Sequence, residues 1–161
     1  MEFKKLKELS KAHKEEVLNL WNNEYPEKLS YKTLQDFEDY LENLAEQFHI
    51  LMINEKQEIK GWYFDFTREN EKWFVIIIDS KLHAKGLGTR ILNIAKEKEI
   101  ELNGWVIDHN SDRKKNGEIY RSPMDFYLKN GFKRLEKVRL ELEKISAVKM
   151  QWRKANYSYP M

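Results

Sequence analysis

The chain has 161 residues, 41% hydrophobic and 13% aromatic, enough for one folded domain with a continuous core and too few to expect two. Its 29 Lys and Arg against 27 Asp and Glu leave a formal charge of +2 with both signs interspersed, so net charge gives no support to nucleic-acid binding. Cysteine is absent, which excludes disulfides and thiolate metal sites; with no signal-peptide core and no membrane-length apolar run, the expected protein is soluble and cytoplasmic.

In chain order, a first strand is predicted near Phe3 to Leu9. Val17, Leu20, Trp21 and Tyr25 then recur at helical spacing until Pro26 stops them. Leu34, Phe37, Leu41 and Leu44 predict a second helix, with Ser30 or Thr33 as its cap. "FHILMIN", "EIKGWYFDFTR" and "KWFVIIID" read as three strands of an antiparallel meander joined by polar turns. The third is apolar at every position from Trp73 to Ile78, which predicts a strand covered on both faces near the sheet centre.

After a glycine-bearing loop, Leu87, Ile91, Ile94 and Ala95 mark a helix that ends before Gly104, where "GWVID" restarts a strand parallel to the preceding one. "SPMDFYLKNGF" reads as a short helix with Ser122 as N-cap and Pro123 at the first helical position. "KRLEKVRLELEK" and "SAVKMQWRK" alternate as a final hairpin. One domain over 1–154 is expected, followed by a tail over 155–161. An exposed final hairpin would offer a surface for a homodimer.

A loop between strand and helix can aim successive N–H groups at one spot, where the helix dipole adds positive potential, and this suits a pyrophosphate. Gly86 and Gly88 allow close approach or positive φ, while Thr89, Lys85 and Arg90 offer a hydroxyl and positive charge. A dinucleotide fingerprint fails because Ile91 stands where its third glycine belongs; a P-loop fails because Thr89 and Arg90 follow Gly88. Taken alone, the two glycines also fit a plain helix start.

His83-Ala84-Lys85-Gly86-Leu87-Gly88-Thr89 resembles the acyl-CoA pyrophosphate loop of the GNAT superfamily of N-acyltransferases, whose pattern is Arg/Gln-x-x-Gly-x-Gly/Ala. "VIDHN" is similar to that family's next strand, with Val106 and Asn110 at its usual spacing, and "FYLKNGF" to its Phe-Tyr-x-x-x-Gly-Phe signature. His83 replaces the usual Arg or Gln, Ser80 stands where proline is frequent, and an insertion of roughly ten residues, 111–120, follows Asn110.

The resemblance implies a mixed α/β (α+β) fold: a mainly antiparallel sheet of about seven strands, about four helices and a splayed parallel strand pair. It implies acetyl-CoA as cosubstrate and an amine acceptor, with direct transfer of the acetyl group and no metal. Backbone near Ile76 and Ile78 would hold the pantetheine arm, and residues 83–89 (His83, Ala84, Lys85, Gly86, Leu87, Gly88, Thr89) with Asn110 would bind the rest of the cofactor. Tyr127 occupies the position of the family's acid for the leaving sulfur.

Acceptor recognition would fall to the first two helices, with Trp21, Tyr25 and Tyr31 lining a pocket and Glu24 or Glu27 attracting an ammonium; the same aromatic residues also fit a core stripe. For the base, Asp65, Glu71, Asp108 and His109 are candidates, and Asp65 fits a solvent-face position equally well. The insertion would cover the CoA phosphates or form a solvated loop. Two other classes remain compatible: a non-catalytic GNAT-like module binding acyl-CoA or a protein, and a nucleic-acid-binding domain using Arg113, Lys114 and Lys115. The four histidines offer no metal-ligand spacing.

Overall fold

The computed structural model of the chain describes residues 1–155, so the expected C-terminal tail lies outside the described residues apart from Ala155. The elements are β1 (Glu2–Leu6), α1 (Lys11–Glu24), α2 (Leu34–Glu42), β2 (Ala45–Ile53), β3 (Ile59–Arg68), β4 (Glu71–Ile78), α3 (Leu87–Lys98), β5 (Glu101–Ile107), α4 (Met124–Lys129), β6 (Lys133–Leu142) and β7 (Ile145–Arg153). Single 3-10 turns at Glu27–Leu29 and Ser80–Leu82 complete the order. The strands form one seven-stranded sheet ordered β1-β2-β3-β4-β5-β7-β6, antiparallel except for β4 beside β5. The unbroken apolar strand thus takes the central position, as its composition predicts.

Local chemistry sets the helix ends. Ser10 caps α1 by accepting from the His13 amide at 3.1 Å, and Thr33 rather than Ser30 caps α2 by accepting from Asp36. α1 stops at Glu24 because Pro26 follows in an extended conformation. Three expected boundaries are corrected. β1 ends at Leu6, not Leu9; β5 begins at Glu101, so Gly104 lies inside the strand; and Pro123 is the cap residue of α4, with Ser122 Oγ accepting from the Met124 amide at 3.3 Å.

Alternation along the strands feeds two cores. Leu51, Trp62, Phe64 and Ile77 face α1 and α2, packing on Val17, Leu20, Trp21, Phe37 and Leu41. Ile50, Met52, Tyr63 and Phe74 face the other way, against Ile91, Leu92 and Ala95 of α3 and Tyr127 of α4. Trp21 is the hub of the first core, with its ring against those of Tyr25, Tyr31, Phe37, Tyr40 and Trp62.

One polar relay crosses that core. The Trp62 indole N–H donates to His49 Nδ1 at 3.0 Å, which fixes the imidazole proton on Nε2; that nitrogen donates to Gln47 Oε1, also at 3.0 Å. Gln47 in turn donates to the Leu41 and Leu44 carbonyls at the end of α2. Burial, aided by the charge of Lys14, pushes the His49 imidazole down to about 4.

The unfolded chain therefore takes up this proton near the ordinary value of about 6.5, before the folded chain does. Stability falls as pH drops through that value and the loss levels off near pH 4. Denaturant titrations at about pH 7 and pH 5 are expected to differ by about 2 kcal/mol from this group. His49→Gln, which keeps one donor and one acceptor, should remove that component of the pH dependence.

Candidate active site

The central feature is a fork. β4 and β5 pair at a single register position, Trp73 with Asn103, although both strands continue. Asn103 is fully buried and pinned there, donating to the Lys72 carbonyl at 3.1 Å and accepting from Gln151 at 2.9 Å. Beyond it the space is filled by rings. Trp73 lies 5.1 Å from Trp105 on one face; on the other, Phe74 covers Gly104 so closely that a Cβ there would stand 2.9 Å from Phe74 Cε1.

The fork exposes one edge of β4. The Asp79 amide donates to the Lys60 carbonyl, and the register places Gly61 opposite Ile78 and Tyr63 opposite Ile76. By alternation, the N–H and C=O groups of Ile77 face β3 while those of Ile76 and Ile78 face the gap. One is already in use: His83 Nε2 donates to the Ile78 carbonyl at 2.8 Å, so the imidazole folds back onto the strand end.

The loop into α3 lies at the same end. Ala84 and Gly86 both have positive φ, +64° and +75°. Gly86 precedes Leu87 as a cap with no side chain to offer, and the space where its Cβ would point is open. The first amides of α3 thus face outward at an exposed, unobstructed position. Gly88 serves packing instead. A Cβ there would stand 2.8 Å from Phe126 Cζ, so its absence seats α4 on the start of α3. Lys85 is exposed, Thr89 half-buried, and the Arg90 guanidinium lies 4.7 Å from the Phe3 ring centroid.

α4 carries Tyr127 to the fork. Its buried ring meets Phe74 at 5.9 Å and Phe132 at 5.4 Å, and its hydroxyl makes no hydrogen bond to the described residues. Burial, with Tyr120 as a second cause, pushes the phenol far above the ordinary range. Burial also pushes up Tyr25, with Tyr120, Tyr127 and Tyr40 contributing, and the Tyr25 and Tyr120 rings lie 6.2 Å apart. Tyr25, Tyr120 and Tyr127 are therefore one group of neutral phenols.

Tyr120 belongs to the insertion, which is ordered by contacts at its base while most of its residues are exposed. Asn116-Gly117 turns it into a small hairpin, with φ +87° at Gly117 and the Lys114 amide donating to the Glu118 carbonyl. It docks beside the C-terminus of α1: the Glu27 amide donates to the Arg113 carbonyl at 2.9 Å, Lys114 pairs with Glu24 at 3.1 Å and Lys28 with Asp112 at 2.7 Å. A cavity of about 380 Å³ remains between Asn23, Glu24, Ser80, Lys114, Lys115 and Asn116. Arg113 and Lys114 have partners within the chain, Gly117 and Glu24, which weakens their reading as nucleic-acid contacts.

The other candidates separate. Asp65 is fully buried, not on a solvent face; it accepts from Tyr63 at 2.7 Å and from Lys98 at 3.0 Å, near the far end of α3 about 16 Å along the axis from Leu87. Burial pushes its carboxyl up against the opposing pull of those two donors. Glu71 starts β4, about 23 Å from Ile78, and pairs with Lys149. Asp108 is held by Arg139 and Arg134, which keep its carboxyl low. His109 Nδ1 accepts from the Ser111 amide and so braces the turn after β5.

Glu24 already accepts from Lys114 and from the Ser80 amide, so its carboxylate is taken, whereas Glu27 stays exposed. Asn110 Oδ1 accepts from the Ser122 amide at 2.7 Å and closes the base of the insertion. Trp21 donates to the Leu29 carbonyl from within the core, and Tyr31 stacks on Tyr40 at 5.6 Å; Tyr25 belongs to the phenol group, and the Trp21 ring packs against it at 4.7 Å. A groove of about 520 Å³ near His49, Lys14 and Glu38 lies on the α2 flank and shares none of these residues. Among the described residues no group of His, Asp and Glu is placed to hold a metal ion, and no helix is long and apolar enough to cross a membrane.

Fold and fork together define a class of acyl-transfer domain. The family model described as an acetyltransferase (GNAT) domain matches residues 8–154, and the chain belongs to that family. Among solved structures, it resembles an aminoglycoside 6'-N-acetyltransferase complexed with coenzyme A, at 15% identity, TM-score 0.70 and full coverage of both chains. It also resembles a phosphinothricin acetyltransferase from Sinorhizobium meliloti in complex with acetyl-CoA (10% identity, 95% of this chain and 89% of that one, TM-score 0.64). A spermidine N-acetyltransferase variant from Vibrio cholerae is similar at 15% identity, 95% of each chain and TM-score 0.64. At these identities the likeness establishes the fold. No curated protein matches the sequence.

Since Phe74 fills the space over Gly104, Gly104→Ala is expected to cost about 1–3 kcal/mol in denaturant unfolding, through displacement of that ring at the fork.

Proposed function

We propose that the protein is an acyl-CoA-dependent N-acetyltransferase that passes an acetyl group from acetyl-CoA directly to a primary amine. The observation that carries this reading is the fork: an edge of β4 at Ile76 and Ile78 that β5 leaves unpaired, with the Ile78 carbonyl taken by His83, and that runs toward the amides of an uncapped, unobstructed helix start. An extended thioester cosubstrate with an amide-bearing arm and a pyrophosphate fits that sequence of groups. The Ile76 and Ile78 backbone would hold the arm. Residues 83–89 would take the phosphates through their amides, with Lys85 adding charge. When bound, acetyl-CoA supplies an activated acyl group on a thiol of low basicity.

The chain's own contribution is orientation and polarisation. A backbone N–H at the open edge of β4 would stabilise negative charge on the acyl oxygen as the amine attacks, in a gap lined by aromatic rings. Tyr127 would donate a hydrogen bond to the departing sulfur. Burial keeps this phenol protonated, and since its acidity lies well below that of a thiol with pKa about 8.5, it assists the sulfur without surrendering its proton outright. The structural relatives carry the names of acetyltransferases for unlike acceptors, which supports acetyl transfer to nitrogen as the shared chemistry and leaves the acceptor to this chain's own site.

Calorimetric titration with acetyl-CoA tests the binding step. Gly86→Asp places a carboxylate in the open space over the helix start, at a positive φ that strains Asp less than most residues, and should weaken acetyl-CoA at least about tenfold in a variant whose melting temperature shows it still folded. Failure of the wild type to bind would remove the reading. For the chemical step, Tyr127→Phe should lower kcat by about tenfold to a hundredfold while leaving acetyl-CoA affinity unchanged. An unaltered kcat would take Tyr127 out of the mechanism.

A further inference from the structure

The open edge of β4 already has one donor from within the chain. His83 Nε2 donates to the Ile78 carbonyl at 2.8 Å, and because a carbonyl only accepts, the ring proton sits on Nε2. Ile78 is the last residue of β4, and its backbone faces the gap because Ile77 and Asp79 on either side spend theirs on β3. The imidazole therefore fills the place where a β5 amide would donate if the two strands stayed paired. His83 is also where this loop departs from the Arg or Gln of the family pattern.

The turn that carries the ring is itself well fixed. The Leu82 amide donates to the Asp79 carbonyl at 2.9 Å, the His83 amide to the Ser80 carbonyl at 3.2 Å, and the Asp79 carboxylate accepts from the Lys81 amide at 2.9 Å. The chain then reverses at Ala84, whose φ of +64° is seldom adopted by a residue with a Cβ. His83 nonetheless stays exposed, so its ring can leave the carbonyl without disturbing either core. Whatever replaces it must bring an N–H to the same oxygen, or that carbonyl loses its partner. An extended chain of amides laid along the strand edge does so.

We propose that His83 is an internal competitor of the cosubstrate: its imidazole N–H occupies the Ile78 carbonyl that an amide of the pantetheine arm takes on binding, and the arm enters as the ring swings out. The inference rests on the acyl-CoA reading above. Binding then exchanges one hydrogen bond for another at this position instead of adding one. The same exchange runs backwards when the product leaves, since the ring can retake the carbonyl as coenzyme A departs.

The test is calorimetric titration of coenzyme A and of ADP into the full chain, as wild type and as His83→Ala. ADP carries the pyrophosphate without the arm. The variant, shown folded by its melting temperature, is expected to bind coenzyme A about two- to tenfold tighter, the worth of one net hydrogen bond, and to show no gain for ADP. A crystal structure of the wild type with coenzyme A should have an arm amide on the Ile78 carbonyl and the imidazole turned away. Coenzyme A bound equally or more weakly by the variant, the same gain for ADP, or an imidazole still on that carbonyl beside bound coenzyme A would overturn this inference and leave the acetyltransferase reading standing. Binding of neither coenzyme A nor acetyl-CoA by either protein sinks that reading, and this one with it.

Discussion

The structure depends on two neighbouring parallel strands being kept apart. A central sheet strand normally spends its backbone donors and acceptors on both neighbours, and leaving them unused inside a protein is unfavourable. Here β4 meets β5 once, at Trp73 and Asn103, and aromatic rings then hold the strands open. Asn103 anchors the last paired position from within the sheet. Gly104 makes room for Phe74, and Phe74 in turn supports Tyr127 and Phe132. The gap is thus set by packing on both faces rather than by a loop that can fold away.

Two helices complete the arrangement from the same side. α3 starts beside the end of β4, and α4 rests on that start through Phe126 and Gly88, so the glycine loop and Tyr127 keep a fixed relation. The insertion is held differently. Its hairpin is anchored at the C-terminus of α1 by ion pairs and backbone bonds, and the tyrosines at that contact are kept neutral by burial. One side is fixed by shape, the other by charge and hydrogen bonding.

Much of this is legible in the sequence because it is local. The unbroken apolar run from Trp73 to Ile78 locates the central strand, and the glycine loop with the following amphipathic pattern locates α3. What escapes depends on partners distant in the chain. Asp65 alternates on β3 like a surface residue, but Lys98 and Tyr63 bury it; Glu24 looks available until Lys114, ninety positions on, takes its carboxylate. Tyr120 and Asp112 carry no helical or strand period. One signal does point to their placement: Asn116-Gly117 marks a tight turn, which makes the polar insertion a hairpin able to place side chains.

Glu24 ties the two sides together. One carboxylate oxygen receives the Ser80 amide at the end of β4, and the other receives Lys114 of the hairpin. The turn after β4 and the hairpin therefore hang on the same anion at the last residue of α1. Two segments distant in the chain are thus tied through a single side chain, and loss of that carboxylate would release both at once.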